Sequence, residues 1–493
     1  MADYKHGTYG VMDDSITAGA AQASTVAVYI GTAPVNLVRG YADAGRVNKP
    51  IRLTSYEDAQ RKIGVSHNWQ TFTLCEAVCA HFKNELGNIG PVYVINVLDP
   101  AKHKKDTATT AALTFGNNRA TIASDTIVLD TLVLADKVEG VDYAVDYDFR
   151  TGTVTITGIG DAELSGSINA TYDEIDPAKV TATEIIGGVS GAGVHTGIAS
   201  VAMVYQTFNA IPNLLLAPGW SGEPAVRKAL LTAATKINGH FDAFVLADIP
   251  LEDADGEAVD TVDKAIAWKA DNSANAEAAK SFWPMGTGID GMHYHLSTLW
   301  AVEQMRTDAN HNGVPMESAS NKAIPIVKQY FGANSFNEGY DSVRGNELNA
   351  NGITTAIFWG GRWALWGPHT AAFKHGSTMD SRAVFDVSMR MIMYQSNSFQ
   401  LEHGLVIDAP MTRGMLDTIK NREQEKADAL AAMGALIGEP VVEFIADDNG
   451  TSEMVQGNFV WRNRHTSTPP FKSGTLRMAY TDAGFTSYFG GEV

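Results

Sequence analysis

From about residue 106 to residue 186 the sequence loses its helix signals, and this interruption constrains the fold more than any other feature. The stretch is rich in Thr, Val, Ile and Asp and alternates apolar with polar residues, most clearly in DTIVLDTLVLAD and GVDYAVDYDFRTGTVTITG. That is the pattern of half-buried strands. Tyr143–Phe149 and Thr153–Thr157 flank the short turn Arg150-Thr151-Gly152, so a hairpin is expected.

Both flanks read differently. Before the interruption, TVAVYI (25–30) is a strand by its β-branched content, and 71–86 is a helix with Leu74, Val78, Phe82 and Leu86 on one stripe. PVYVINVL (91–98) is a continuous apolar run, as in a strand covered on both faces. After it, Leu214–Ala217 is a short strand, Ser221 caps a helix with Pro224 in its first turn, and Gly239 stops that helix. FDAFVLADI (241–249) is the next strand, which completes a βαβ unit and predicts parallel pairing. An amphipathic helix is expected over about 296–308. Beyond Ser377 a long helix covers 411–434, started by Pro410 and ended by Gly438-Glu439-Pro440, with the charged middle KNREQEK facing water or a partner. Strand-like pieces follow at 458–461 and 476–480.

The expected fold is therefore α/β and multidomain. An α/β core with a mostly parallel sheet (23–98 and 189–376) carries an inserted small all-β domain (99–188). An α+β C-terminal domain (377–493) follows, and extended N-terminal (1–22) and C-terminal arms complete the chain. At 493 residues with 45% hydrophobic content there is ample material for real cores. With 37 Lys+Arg against 56 Asp+Glu, the net charge of −19 argues against a nucleic-acid coat or docking on an anionic membrane. No apolar run of about 20 residues is present, and Met1–Asp14 has no signal-peptide core, so folding in a cytoplasm is expected.

Candidate chemistry is sparse. Cys75 and Cys79 fall four apart in LCEAVCAHF and read as a reduced, buried pair, with His81 roughly 200° round the helix from Cys79. GTGIDG (286–291) fits GxGxxG but follows a helix-like stretch rather than a strand. LEDADGEAVDTVD (251–263) fails the calcium-loop register, because Leu251 and Val262 stand where carboxylates belong. GVSGA and GWSGE are near misses to GxSxG. His293 and His295 would point to different faces of a helix. FWGGRWALWGPHT (358–370) is the densest aromatic cluster and reads as core plus subunit contact. No cofactor or metal is expected, and no enzyme. An α/β hydrolase with an inserted β domain, or a structural protein of another kind, stands as the alternative.

Taken in order, these segments resemble the contractile-tail sheath proteins of bacteriophages and phage-like particles. GTYGVM resembles the family's short arm, DPAKVTATEIIGG its exit from the β insertion, and NLLLAPGWSGEPAVRKAL and FDAFVLADIP the strand, helix and strand that follow. ASNKAI (319–324), NELNANGITTA (346–356) and GGRWALWGPHTAA (360–372) keep the family's order and spacing, with His369 where an Arg is expected. The resemblance implies a virion tail-sheath subunit, assembled in a bacterial host cytoplasm as stacked hexameric rings. Its partners would be an inner tail tube and baseplate and tail terminator proteins, without direct nucleic acid or membrane insertion. The β insertion would sit outermost, and the two chain ends would add strands to neighbouring subunits. Tyr4, Gly7, Tyr9 and Val11 would form one linking arm and Leu476, Met478 and Tyr480 the other. Lys420, Arg422 and Lys426 are the candidate tube-facing or neighbour-facing surface. Contraction would be a rigid-body repacking out of a metastable state. The tail from Gly457 carries a local excess of +2, which fits an acidic body and a complementary lattice.

Overall fold

The computed structural model describes residues 21–22, 24–42, 45–159, 163–332, 339 and 341–490. Tyr4, Gly7, Tyr9 and Val11 lie outside the described residues. An eight-stranded mixed sheet organises the α/β part. Its order is Arg362–Trp366, Ile353–Trp359, Ala279–Phe282, Phe244–Asp248, Leu214–Leu216, Ala27–Gly31, Val92–Asn96, Pro50–Leu53. The six inner strands run parallel, and the two outer ones pair antiparallel. Ala27–Gly31, Val92–Asn96 and Phe244–Asp248 are buried at every position, which is why they read as unbroken apolar runs. The βαβ unit forms as expected, with Leu214–Leu216 parallel to Phe244–Asp248 and the Pro224–Ala233 helix between them.

The interruption folds into two three-stranded antiparallel sheets, with order Arg119–Ala123, Thr153–Gly158, Tyr143–Asp148 and order Thr109–Phe115, Gly166–Tyr172, Val133–Leu134. In the expected hairpin Val154 faces Tyr147 and Ile156 faces Val145, and Gly152 closes the turn at φ +66°. These sheets enclose their own apolar cluster, which Leu37 joins from the α/β part. Asn36 Nδ2 donates to the carbonyls of Asp125 and Ile127, both at 2.9 Å, and ties the two together.

Several boundaries differ from expectation, each for a local reason. The helix expected over 71–86 is the shorter Leu74–Phe82, because Asn84 Nδ2 turns back onto the Ala80 carbonyl, and the helix Tyr56–Lys62 precedes it. Ser221 does not cap its helix. Glu223 occupies that position, and Ser221 Oγ accepts the Asp248 N–H at 2.9 Å instead. The 296–308 segment extends to Leu296–Asn310 and is buried nearly all round rather than amphipathic. His293–His295 is a strand, so both imidazoles share one side.

The C-terminal region holds two long helices, Asp386–His403 and Arg413–Ala432, and the antiparallel pair Leu436–Glu443 and Arg462–Ser467. Thr412 Oγ1 caps the second helix through the Met415 N–H. Gly438-Glu439-Pro440 is not its stop but an irregularity inside the Leu436–Glu443 strand. The 458–461 segment is not a strand, and pairing begins at Arg462. From Thr468 to Thr481 the chain has no secondary structure, and it ends in a short helix, Ala483–Phe489.

Candidate functional site

Parallel sheets place ligands beyond the carboxyl ends of their strands. Here that edge holds a cavity of about 480 Å³, lined among others by Ser221, Asp248, Glu252, His295 and Tyr330. The Asp248 carboxylate accepts the Ser297 N–H at 3.1 Å and the Ser297 hydroxyl at 2.5 Å. His295 gives its backbone N–H and its Nδ1 to the two oxygens of Glu76, at 2.7 and 2.6 Å. Burial alone would lower the His295 imidazole, but the Glu76 carboxylate outweighs it, and the ring rises to about 9. Burial pushes the Asp248 carboxyl up.

A serine nucleophile needs a neutral histidine within hydrogen-bond reach. Ser221 is buried and turned to Asp248, while His295 is an imidazolium committed to Glu76. This arrangement clamps the Leu74–Phe82 helix to the Leu296–Asn310 helix and does not assemble a base with a nucleophile. The other motifs resolve similarly. GTGIDG forms the turn between the antiparallel strands Met285–Gly288 and His293–His295 and opens no helix. Burial pushes the Cys75 thiol up and the Cys79 thiol up to about 12. Burial also lowers His81 to about 4, and its Nε2 meets the Tyr29 hydroxyl at 2.7 Å. Among the described residues no group of three His, Cys, Asp or Glu could hold a metal ion, and no helix is long and apolar enough to cross a membrane.

The features with uncommitted surface lie elsewhere. Leu476, Met478 and Tyr480 are 81%, 86% and 84% exposed on a segment that pairs as a strand with none of the described residues. At the Ile353–Trp359 and Arg362–Trp366 hairpin, Trp363 Nε1 donates to the Val327 carbonyl and Trp366 Nε1 to Asn346, whereas Phe358 and Trp359 at the tip are exposed. The cluster is thus anchored on one side and open on the other. Lys420 is half-buried. Arg422 and Lys426 both pair with Glu402 on the facing Asp386–His403 helix, and Lys426 also meets Glu423 at 2.5 Å. These two charges therefore hold two helices together within the subunit.

Sequence reasoning missed two buried ion pairs that bind the Asp386–His403 helix to the α/β part, one to the Leu296–Asn310 helix and one to the sheet strand Ala279–Phe282. Arg390 forks onto Asp308, which also accepts the Thr25 hydroxyl at 2.6 Å. Lys280 meets Asp386 at 2.6 Å and donates to the His369 carbonyl at 2.8 Å. His369 itself lies between Phe373 and Phe385, its Nδ1 on the Val384 carbonyl, and burial lowers it to about 4. It is a neutral packing ring where the sheath pattern has an Arg. Lys and Asp inside apolar strings were the available signal, but their partners lie about a hundred residues away.

No family model matches the chain. It is 27% identical over 496 residues, 95% of this chain and 98% of the other, to the tail sheath protein of Burkholderia phage BcepMu. Its fold matches a chain in the cryo-EM structure of the anti-feeding prophage baseplate, with TM-score 0.55, 13% identity, and 96% and 98% of the two chains covered. It also matches the contracted-state sheath complex of the PVC extracellular contractile injection system, with TM-score 0.52, 12% identity, and 98% and 100% covered.

Proposed function

We propose that this homologue of tail sheath proteins is itself a structural subunit of a contractile tail sheath. The near end-to-end similarity to a tail sheath protein carries the reading, and the fold likeness to a contractile injection-system sheath supports it. The subunit polymerises as stacked hexameric rings around an inner tail tube, between baseplate and terminator proteins, and is located in the tail. The inserted β domain lies outermost and the C-terminal region innermost. Contraction repacks subunits as rigid bodies and drives the tube forward. The buried pairs Arg390–Asp308 and Lys280–Asp386 support a body that moves as one piece. The linking arms are Tyr4–Val11 and Leu476–Tyr480, the second supported by its exposed side chains and by a segment that pairs as a strand with none of the described residues.

Negative-stain electron microscopy of the purified protein over a concentration series tests this. Rings or striated hollow tubes are expected. A protein that stays monomeric with and without added tube protein overturns the reading. Deleting residues 1–12 should leave a folded subunit that forms no long polymers, and polymers of normal length from that deletion would refute the arm's role.

A further inference from the structure

The Asp386–His403 and Arg413–Ala432 helices leave a groove of about 350 Å³ between them, floored by Val314, Tyr394, Ala429 and Leu430 and edged by Met433, which is 39% exposed. No described residue covers it. The same chain ends in the helix Ala483–Phe489, whose Phe485, Tyr488 and Phe489 are 58%, 84% and 73% exposed. They stand at i, i+3 and i+4, so they form one aromatic stripe, with the Phe485 and Phe489 rings 6.3 Å apart. A seven-residue helix containing Gly484 is marginal by itself. Burying that stripe is what would hold it.

The tail leaves the body beside the groove, where the Thr468 N–H donates to the Ala435 carbonyl at 3.1 Å. It then departs, with Lys472 over the Phe373 ring at 5.8 Å. From Thr468 to Asp482 an extended chain spans up to about 45 Å. The helix stands undocked, its aromatic side chains exposed, on a tether long enough to reach the groove of another copy. From this pairing of an open groove with an aromatic helix on a long tether, we infer that Ala483–Phe489 of one subunit docks into the groove between the Asp386–His403 and Arg413–Ala432 helices of a second copy. The contact is head-to-tail, each subunit giving a helix and receiving one, which generates rings or helical polymers. It rests on the sheath reading and adds to the paired strands a helix-in-groove anchor at the chain end.

The test uses two full-length chains, one carrying Phe489→Cys and the other Met433→Cys, mixed and treated with a short bis-maleimide. A covalent dimer is expected in the mixture and in neither chain alone. The native thiols give little background, since burial suppresses both. Polymers seen by microscopy without that dimer overturn the inference and leave the sheath reading intact, whereas absence of both polymers and dimer, with and without added tube protein, overturns both. Crosslinking confined within single chains of a Phe489→Cys/Met433→Cys double variant, independent of concentration, also overturns it. As a second measure, Phe485→Ala/Phe489→Ala should weaken self-association at least tenfold with the unfolding midpoint unchanged. Unaltered self-association counts against the docking.

Discussion

At the residue scale the buried pair of Glu76 and His295 predicts a pH dependence of stability. His295 sits above its unfolded value near 6.5 because Glu76 holds the imidazolium. A raised histidine stabilises fully below its unfolded value and loses that contribution as pH climbs through the folded one. The thermal unfolding midpoint should therefore fall from about pH 6.5 to about pH 9. Glu76→Gln should flatten that decline and lower stability at pH 6 by on the order of 3 kcal/mol. A wild-type midpoint that stays level over this range would show that His295 is not protonated in the folded state. None of this was legible in the sequence, where His293 and His295 read as residues of a helix. Glu76 lies 219 positions from His295, and only the fold brings them within 2.6 Å.

Elements were legible where their environment is uniform. A strand buried on both faces needs apolar residues throughout, so Val92–Asn96 and Phe244–Asp248 announce themselves, as does the alternation of the inserted sheets. The reading failed where a local signal served a distant partner. Ser221 resembles a cap but bonds Asp248, Gly438–Pro440 resembles a helix stop but kinks a strand, and Leu296–Asn310 hides Gln304 and Asp308 among partners from outside the helix. Of the candidate contact residues, Leu476, Met478 and Tyr480 are exposed as a linking segment requires, while Arg422 and Lys426 meet Glu402, which no local pattern announces. The arm's role turns on its backbone, and proline tests it. Successive N–H groups of a strand point to opposite sides, so Arg477→Pro and Met478→Pro each remove one donor from a different side. Both should abolish long polymers if the segment inserts between two strands, and one alone should do so if it adds to an edge. The exposed segment predicts unchanged subunit stability in both. Polymers unaffected by either proline would mean that this segment does not pair as a strand.

At the scale of the whole molecule, two opposing requirements meet in the proposed sheath. The body must stay rigid, and the buried pairs joining the Asp386–His403 helix to the sheet strand Ala279–Phe282 and to the Leu296–Asn310 helix serve that, since separating either would leave a charge without a counterion at a cost of about 3–5 kcal/mol. Yet copies must pack closely while each carries a net charge of −19, against which the tail's excess of +2 is small. Like-charge repulsion between bodies should therefore outweigh attraction between tail and body, and cohesion must come from backbone pairing and apolar contact, which salt does not screen. Screening shortens from about 10 Å at 0.1 M salt to about 3 Å at 1 M. The concentration needed for polymer formation should accordingly fall several-fold over that range, as followed by light scattering. A threshold that rises with salt would mean the opposite balance, a lattice held mainly by ion pairs between copies. The exposed charges of the body would then have to be placed in the contacts rather than around them.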